Sequence, residues 1–208
     1  MNELESGLRD ISAIRSMMER ASKFLSLSGL SGISAGVIAL AGAWAADRAM
    51  RESGAHIPLP GEQGSGDAWL CGFLIADAAS VLVMALACSI FFSVRMARKK
   101  GYPLWGPTTI YLLAALMVPL ATGGAFCGLL VYHGLYGLLP AVMLVFYGLA
   151  LLNAGYFTFG EIRYLGIIDI LLGLTAGLRP ALGLLLWAGG FGLLHIVYGI
   201  LLYTKYEK

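Results

Sequence analysis

Charge is what this chain has least of. Only 12% of its 208 residues are Asp, Glu, Lys or Arg, against 59% that are apolar, whereas soluble domains carry about 25% charged residues. Half the usual solvating surface is missing, which excludes a soluble enzyme, a nucleic-acid binder and a disordered chain. Cysteine is nearly absent. Cys71, Cys88 and Cys127 have no Cys-x-x-Cys spacing and read as small buried apolar residues, with Cys71 and Cys127 toward the same face. Histidine is equally scarce: His56, His133 and His195 lie in separate segments without His-Glu-x-x-His spacing, which removes metal-hydrolase logic. No Gly-x-x-x-x-Gly-Lys phosphate loop occurs either. No metal or other cofactor is expected, and no nucleic-acid partner.

What the chain has in excess is long apolar runs. Eight charged residues fall in residues 1–23, and downstream come several near-uncharged stretches of 20 residues or more, each long enough to cross a hydrocarbon core of about 30 Å. Backbone in lipid must satisfy its own hydrogen bonds, and the alternation of a membrane β-barrel is missing. The expectation is therefore an all-α polytopic membrane bundle of six transmembrane helices, over residues 24–46, 69–94, 108–132, 135–157, 162–178 and 181–203. A cytoplasmic amphipathic helix, residues 1–23, precedes this 24–208 membrane domain. Eleven basic residues, Arg95, Arg98, Lys99, Lys100, Arg163 and Lys205 among them, fall on one side of these spans, and Arg48, Arg51 and Arg179 on the other. That bias places both termini in the cytoplasm. Ala43-Trp44-Ala45 has the small-residue form of a signal cleavage site, but the apolar stretch is too long and its flank too acidic, so the first span is expected to be kept. The loop from Arg48 to Asp67 is rich in turn formers. The basic loop from Arg95 to Pro107 reads as simple topogenic charge, with anionic-lipid contact as the functional alternative; for the chain as a whole the expected partner is the lipid bilayer.

Leu4, Leu8, Ile11, Ile14, Met18, Ala21 and Leu25 recur at spacings of three and four and draw one apolar stripe. Four acids and four bases in residues 1–23 leave that helix without net charge. A lipid anchor is ordinarily Lys/Arg-rich, so the stripe suits either the membrane interface or a protein surface: the chain's own, a second copy, or a cytoplasmic partner. The run Ile14-Arg-Ser-Met-Met-Glu-Arg-Ala-Ser-Lys-Phe-Leu-Ser-Leu-Ser-Gly-Leu-Ser-Gly-Ile-Ser-Ala-Gly36 leads this helix into a Ser/Gly-rich first span. It resembles a group of uncharacterised bacterial six-helix membrane proteins. The resemblance covers mainly residues 11–40 and the span pattern, and implies that topology and a bacterial inner-membrane address, with no activity attached.

Glycine marks the packing seams. Gly32 with Gly36, Gly124 with Gly128, and Gly173 with Gly177 form Gly-xxx-Gly pairs in three different spans, faces on which helix backbones approach closely. A close-packed bundle or a homo-oligomer is expected rather than a wide pore. Tyr111 and Tyr164, Thr122 and Thr175, and Pro140 and Pro180 also suggest a weak parallel duplication. Ionisable residues inside spans are costly and are functional candidates by default. Asp169 and His195 fall at nearly equal depth on adjacent spans, so a proton or cation could be held between them; the plain alternative is a hydrogen bond joining two helices. Asp77 stands in the second span without an evident basic partner. An outer cluster of Asp47, Asp77, His133 and Arg179 is geometrically allowed, and Asn153, Glu161 and Arg163 fall at the inner mouth. Pro119, followed by Gly123-Gly124, marks an expected kink in the third span.

One motif resembles an enzyme's. Gly29-Leu30-Ser31-Gly32 matches the Gly-x-Ser-Gly motif around the nucleophile of rhomboid intramembrane proteases, which would imply a Ser31–His195 pair. It stands in the first span near the inner face, unlike the rhomboid arrangement, and a packing seam explains it as well. The expectation is a non-enzymatic protein that binds or transports a small solute or ion, with Asp169, His195, Asp77 and Asn153 as binding residues. Docking of a partner through residues 1–23 is the alternative, and intramembrane serine hydrolysis a remote one.

Overall fold

The computed structural model describes residues 28–54, 68–101 and 105–208. The amphipathic helix expected over residues 1–23, with most of the run that carries the family resemblance, lies outside the described residues, as do His56 and the loop around it. The described chain is all-helical. Helix α1 spans Gly29–Ser53, α2 Ala68–Lys100, α3 Pro107–Tyr132, α4 Leu139–Ala154 and α5 Glu161–Leu178. The last rod contains α6 (Gly183–Trp187), a π-helical stretch over Ala188–Leu194, and α7 (His195–Tyr206). Short 3-10 turns, Tyr136–Leu138 and Pro180–Leu182, open α4 and the last rod.

Five of these segments are long and apolar enough to cross a membrane: α1, α2, α3, Tyr136–Ala154 and Pro180–Tyr206. Helix α5 differs because Glu161, Arg163 and Asp169 fall within its 18 residues. Several helices outrun their apolar spans. Helix α1 continues past residue 46 on two i,i+4 ion pairs, Arg51 with Asp47 and Arg48 with Glu52, each at 2.7 Å, and such pairs support a solvated helical turn. Helix α2 carries Arg95, Arg98, Lys99 and Lys100 in its last turns, cations that suit a helix C-terminus. Helix α3 runs unbroken through Pro119 and ends at Gly134, whose φ of 72° closes the terminus while Leu135 N–H donates to Leu130 O at 2.8 Å. A left-handed residue there is favoured as glycine.

The packing order is α2, α1, the last rod, the α4–α5 pair, and α3 at the far side. Only 6% of the apolar window of α2 and 11% of that of α3 is buried, against 39% for α1 and for the α4 segment. The core therefore sits among α1, α4, α5 and the last rod. Glycine seams close it. Gly36 faces Gly192 O and Ile196, and Gly32 faces Gly199 and His195 O. Gly148 and Gly166 stand back to back across α4 and α5, and Gly173 faces Ala141 and Val145. Of the expected glycine pairs, Gly124 and Gly128 meet nothing within 4 Å among the described residues. Their face of α3 points away from the bundle.

At one end of the bundle the polar contacts converge. Glu207 accepts from Gly29 N–H and, at 3.2 Å, from Ser28 Oγ, so the carboxylate of the last rod caps the start of α1. Lys205 donates to Glu161, Tyr206 Oη donates to Glu161 at 3.0 Å, and Lys100 Nζ donates to Tyr206 O at 3.0 Å. The ends of α2 and the last rod and the starts of α1 and α5 thus share one face. The Asp47–Arg51 and Arg48–Glu52 pairs lie at the other end of α1.

Candidate functional site

Three elements bring polar side chains into the core. Helix α5 supplies Asp169, which is 0% exposed, and α7 supplies His195 at 6%. The ion pair between Glu161 and Lys205 sets a common level for the two helices. From it Asp169 is eight residues in and His195 ten, or about 12 and 15 Å along the axes at about 1.5 Å per residue. Helix α4 supplies the third, Tyr147, which the sequence reading missed. Its hydroxyl lies 2.7 Å from His195 Nε2.

The hydrogen bonds around His195 follow from the local backbone. The π-helical stretch over Ala188–Leu194 contains Gly189, Gly190 and Gly192. Inserted π-turns leave carbonyls poorly used by the helix ladder and recur at functional sites. Here Gly190 O accepts from His195 Nδ1 at 2.8 Å. A carbonyl can only accept, so Nδ1 bears the hydrogen, and in the neutral ring Nε2 accepts from Tyr147 Oη–H. Phe191 stacks beside both rings, with centroids 4.8 Å from Tyr147 and 6.1 Å from His195, and Trp187 follows at 5.0 Å from Phe191. The imidazole is held by two hydrogen bonds and an aromatic wall.

Asp169 is held differently. Both of its carboxylate oxygens are buried and without a hydrogen-bond partner among the described residues. It approaches Gly190 so closely that a β-carbon there would stand 2.7 Å from Asp169 Oδ1. Asp169 and His195 therefore share one centre through Gly190, one at its α-carbon and the other at its carbonyl, with no hydrogen bond between the two side chains. The plain alternative of a direct Asp169–His195 bond is replaced by Tyr147–His195. Nearer the end with the Glu161–Lys205 pair, the hydroxyls of Thr158 and Tyr198 are also buried and have no hydrogen-bond partner among the described residues. Tyr198 packs with Tyr147 on the Leu151, Ile162 and Leu165 cluster.

The other candidates lie elsewhere. Asp77 is half-buried on the α1–α2 seam, where its carboxylate meets Gly42. Asn153 is exposed on α4. Asp47 is taken by Arg51, and His133 and Arg179 are exposed at helix ends, so the outer cluster does not assemble around Asp47. Arg163 lies over the Tyr156 ring at 4.6 Å. Ser31 Oγ donates to Ser28 O at 2.5 Å in the first turn of α1, while both His195 nitrogens are engaged by Tyr147 and Gly190. The pair that serine hydrolysis would need is not formed. No group of three His, Cys, Asp or Glu side chains able to hold a metal ion occurs among the described residues.

Glu161 stands at the edge of this arrangement, before the apolar run 162–178. Partial burial pushes its carboxyl up, but hydrogen bonds from Lys205 and Tyr206 outweigh this and hold it below the usual glutamate range. The signals for the missed parts were present: a Gly-Gly-Phe-Gly run just before a histidine, and a tyrosine one turn before Leu151 on a core-facing stripe. No known protein family, no curated protein and no solved structure matches the chain.

Proposed function

We propose that this is a small integral membrane protein of the bacterial inner membrane that binds or moves a small solute or ion at the Asp169–His195–Tyr147 centre. The observation that carries the reading is the Asp169 carboxyl, fully buried with neither oxygen partnered among the described residues. A polar group in that state is expensive in a helix bundle. A structural role would be served better by a satisfied hydrogen bond or by an apolar side chain, so retaining an open carboxyl at the junction of three core elements supports a ligand there. In this reading α5 also crosses the membrane, as the fifth of six spans, with Glu161 and Arg163 at its cytoplasmic end, and both termini are cytoplasmic. The convergence of Lys100, Lys205 and Arg163 toward one face supports that orientation through the positive-inside bias. The protein acts without a cofactor and without catalysis. The test is flux or binding of candidate solutes and ions in proteoliposomes, with wild type beside Asp169→Asn and His195→Ala. Loss of flux in both variants is expected. Unchanged flux in both removes the site.

A further inference from the structure

The last turns of α2 carry four cations that the polar centre does not use. Met96 and Ala97 are buried there, and Lys100 Nζ donates to Tyr206 O, so the inner side of this turn is fixed. At about 100° per residue, Arg95, Arg98 and Lys99 fall on the opposite arc, and all three are exposed. The carboxylates described at this end of the bundle are already engaged. Glu161 accepts from Lys205 and Tyr206, and Glu207 from Ser28 and Gly29. No ion pair reaches Arg95, Arg98 or Lys99 among the described residues.

The same arc continues into the apolar part of α2. Met84, Ala87 and Phe91 precede Arg95 at helical spacings of three and four, and each is exposed. From Met84 to Arg95 is eleven residues, about 16 Å along the axis, which matches one leaflet of a hydrocarbon core of about 30 Å. A soluble anion would use the cations alone. An apolar path one leaflet deep beneath them has the shape of a phospholipid. Guanidinium groups suit phosphate oxygens in paired hydrogen bonds, and basic clusters at the membrane end of a helix collect anionic headgroups. Trp105, exposed just before α3, marks the headgroup level at this end.

We propose that this face of α2 is a binding site for a net-anionic phospholipid. Its phosphate lies on Arg95, Arg98 and Lys99, and an acyl chain runs along Phe91, Ala87 and Met84. The site is separate from the Asp169 centre and rests only on α2 lying in a membrane. A zwitterionic phospholipid carries its own ammonium group beside the phosphate and gains less from the three cations. Topogenic charge would ask only for basic residues on one side of the span, not for their sharing an arc with the exposed apolar stem. Each basic residue near an anionic headgroup accounts for about a fivefold preference, and three together for about a hundredfold.

The test is native mass spectrometry of the full-length protein in detergent micelles, titrated with phosphatidylglycerol or with phosphatidylcholine of the same acyl chains. Wild type is expected to bind phosphatidylglycerol about a hundredfold more tightly than phosphatidylcholine. Arg95→Gln, Arg98→Gln and Lys99→Gln should each reduce that preference about fivefold, and the triple variant should abolish nearly all of it. Arg179→Gln removes a cation elsewhere and should change nothing. Phe91→Ser should weaken both lipids alike and leave the preference intact. The single substitutions fall on exposed side chains, so the reading does not depend on the triple variant folding. Wild-type preference in all three single variants, or an equal loss in Arg179→Gln, overturns the proposal. Displacement of phosphatidylglycerol by inorganic phosphate would mean that the cations hold a soluble anion, and the lipid assignment falls. A preference seen only after deletion of residues 1–22 would mean that protein covers this face, and it falls again.

Discussion

Replacing Gly148 by alanine tests the α4–α5 seam that positions Tyr147 against His195. The new β-carbon would stand 2.5 Å from Gly166 O, 2.8 Å from Ile170 Cγ1 and 2.9 Å from Ile170 N. Carbon contacts settle near 3.5 to 4.0 Å, so the two helices must part by about 1 Å. Two of the three obstacles are backbone atoms, and no rotamer change relieves them. Overpacking of this kind costs about 1 to 3 kcal/mol, and the backbone contacts place this site near the upper value. Alanine returns up to about 1 kcal/mol as the better helix former. The net expectation for Gly148→Ala is a loss of about 2 kcal/mol. Gly128→Ala is the control, because no described residue lies within 4 Å of a β-carbon there and only the propensity gain of about 1 kcal/mol remains. The two variants should differ by about 3 kcal/mol, more than a hundredfold in the folding equilibrium at about 1.4 kcal/mol per factor of ten. Reversible unfolding in mixed micelles with rising SDS fraction reads the difference. Equal stability of Gly148→Ala and Gly128→Ala would refute the backbone contact of α4 with α5 at Gly148 and Gly166.

Three further outcomes follow from the contacts. Tyr147→Phe removes the donor to His195 Nε2 and should lower stability by about 1 kcal/mol, the usual worth of an interhelical hydrogen bond in a membrane bundle; no change in the same micelle titration would mean that Nε2 is satisfied otherwise. Glu207→Gln weakens the cap that the carboxylate places on Gly29 N–H and Ser28 Oγ. A charge at a helix N-terminus is worth about 0.3 to 1 kcal/mol, so amide exchange in the first turn of α1 should rise while the middle of α1 stays protected. For pH, Glu161 is held below the usual glutamate range. Its contribution is therefore present above the unfolded-state value and is lost as pH falls through the lower folded-state value. Melting temperatures of wild type and Glu161→Gln should differ at neutral pH and converge in acid; a constant gap would show that the carboxylate charge is not what stabilises the pair.

The helices were legible in the sequence because apolar length in a bilayer leaves few alternatives. Their ends were less so: α1 runs on to Ser53 through charged i,i+4 pairs, and α2 runs on to Lys100, where hydropathy has already fallen. The seams were half legible. Gly32, Gly36 and Gly173 meet neighbouring backbones as Gly-xxx-Gly spacing suggests, while Gly124 and Gly128 face no other helix among the described residues. The spacing defines a small face and carries no information on which helix covers it. Gly148 was invisible for the opposite reason, since it has no glycine partner four residues away. At the site, Asp169 and His195 stood out because charge and imidazole are rare in spans. Tyr147 did not, because a tyrosine in an apolar run counts as apolar until its hydroxyl is seen to reach 2.7 Å from a ring nitrogen. The π-helical stretch was equally hidden. It is a glycine-rich segment that packs on α1 and meets Leu144 and Tyr147 of α4.

The position of the polar centre limits what can enter it. Around it the core is closed by backbone-to-backbone contacts, α1 on the last rod at Gly36 and Gly192, and α4 on α5 at Gly148 and Gly166. Opening either seam is costly, because each ångström of separation forfeits packing along a whole helix face. Helices α2 and α3, with little of their apolar windows buried, could move without that penalty. Neither forms the main packing around Asp169: α2 packs mainly on α1, and α3 on α4. Movement of the loosely held helices would expose Asp77 on the α1–α2 seam before it exposed Asp169. The glycine seams therefore fix the tightly packed side of the bundle around Asp169, and α2 and α3 form its loosely packed flank.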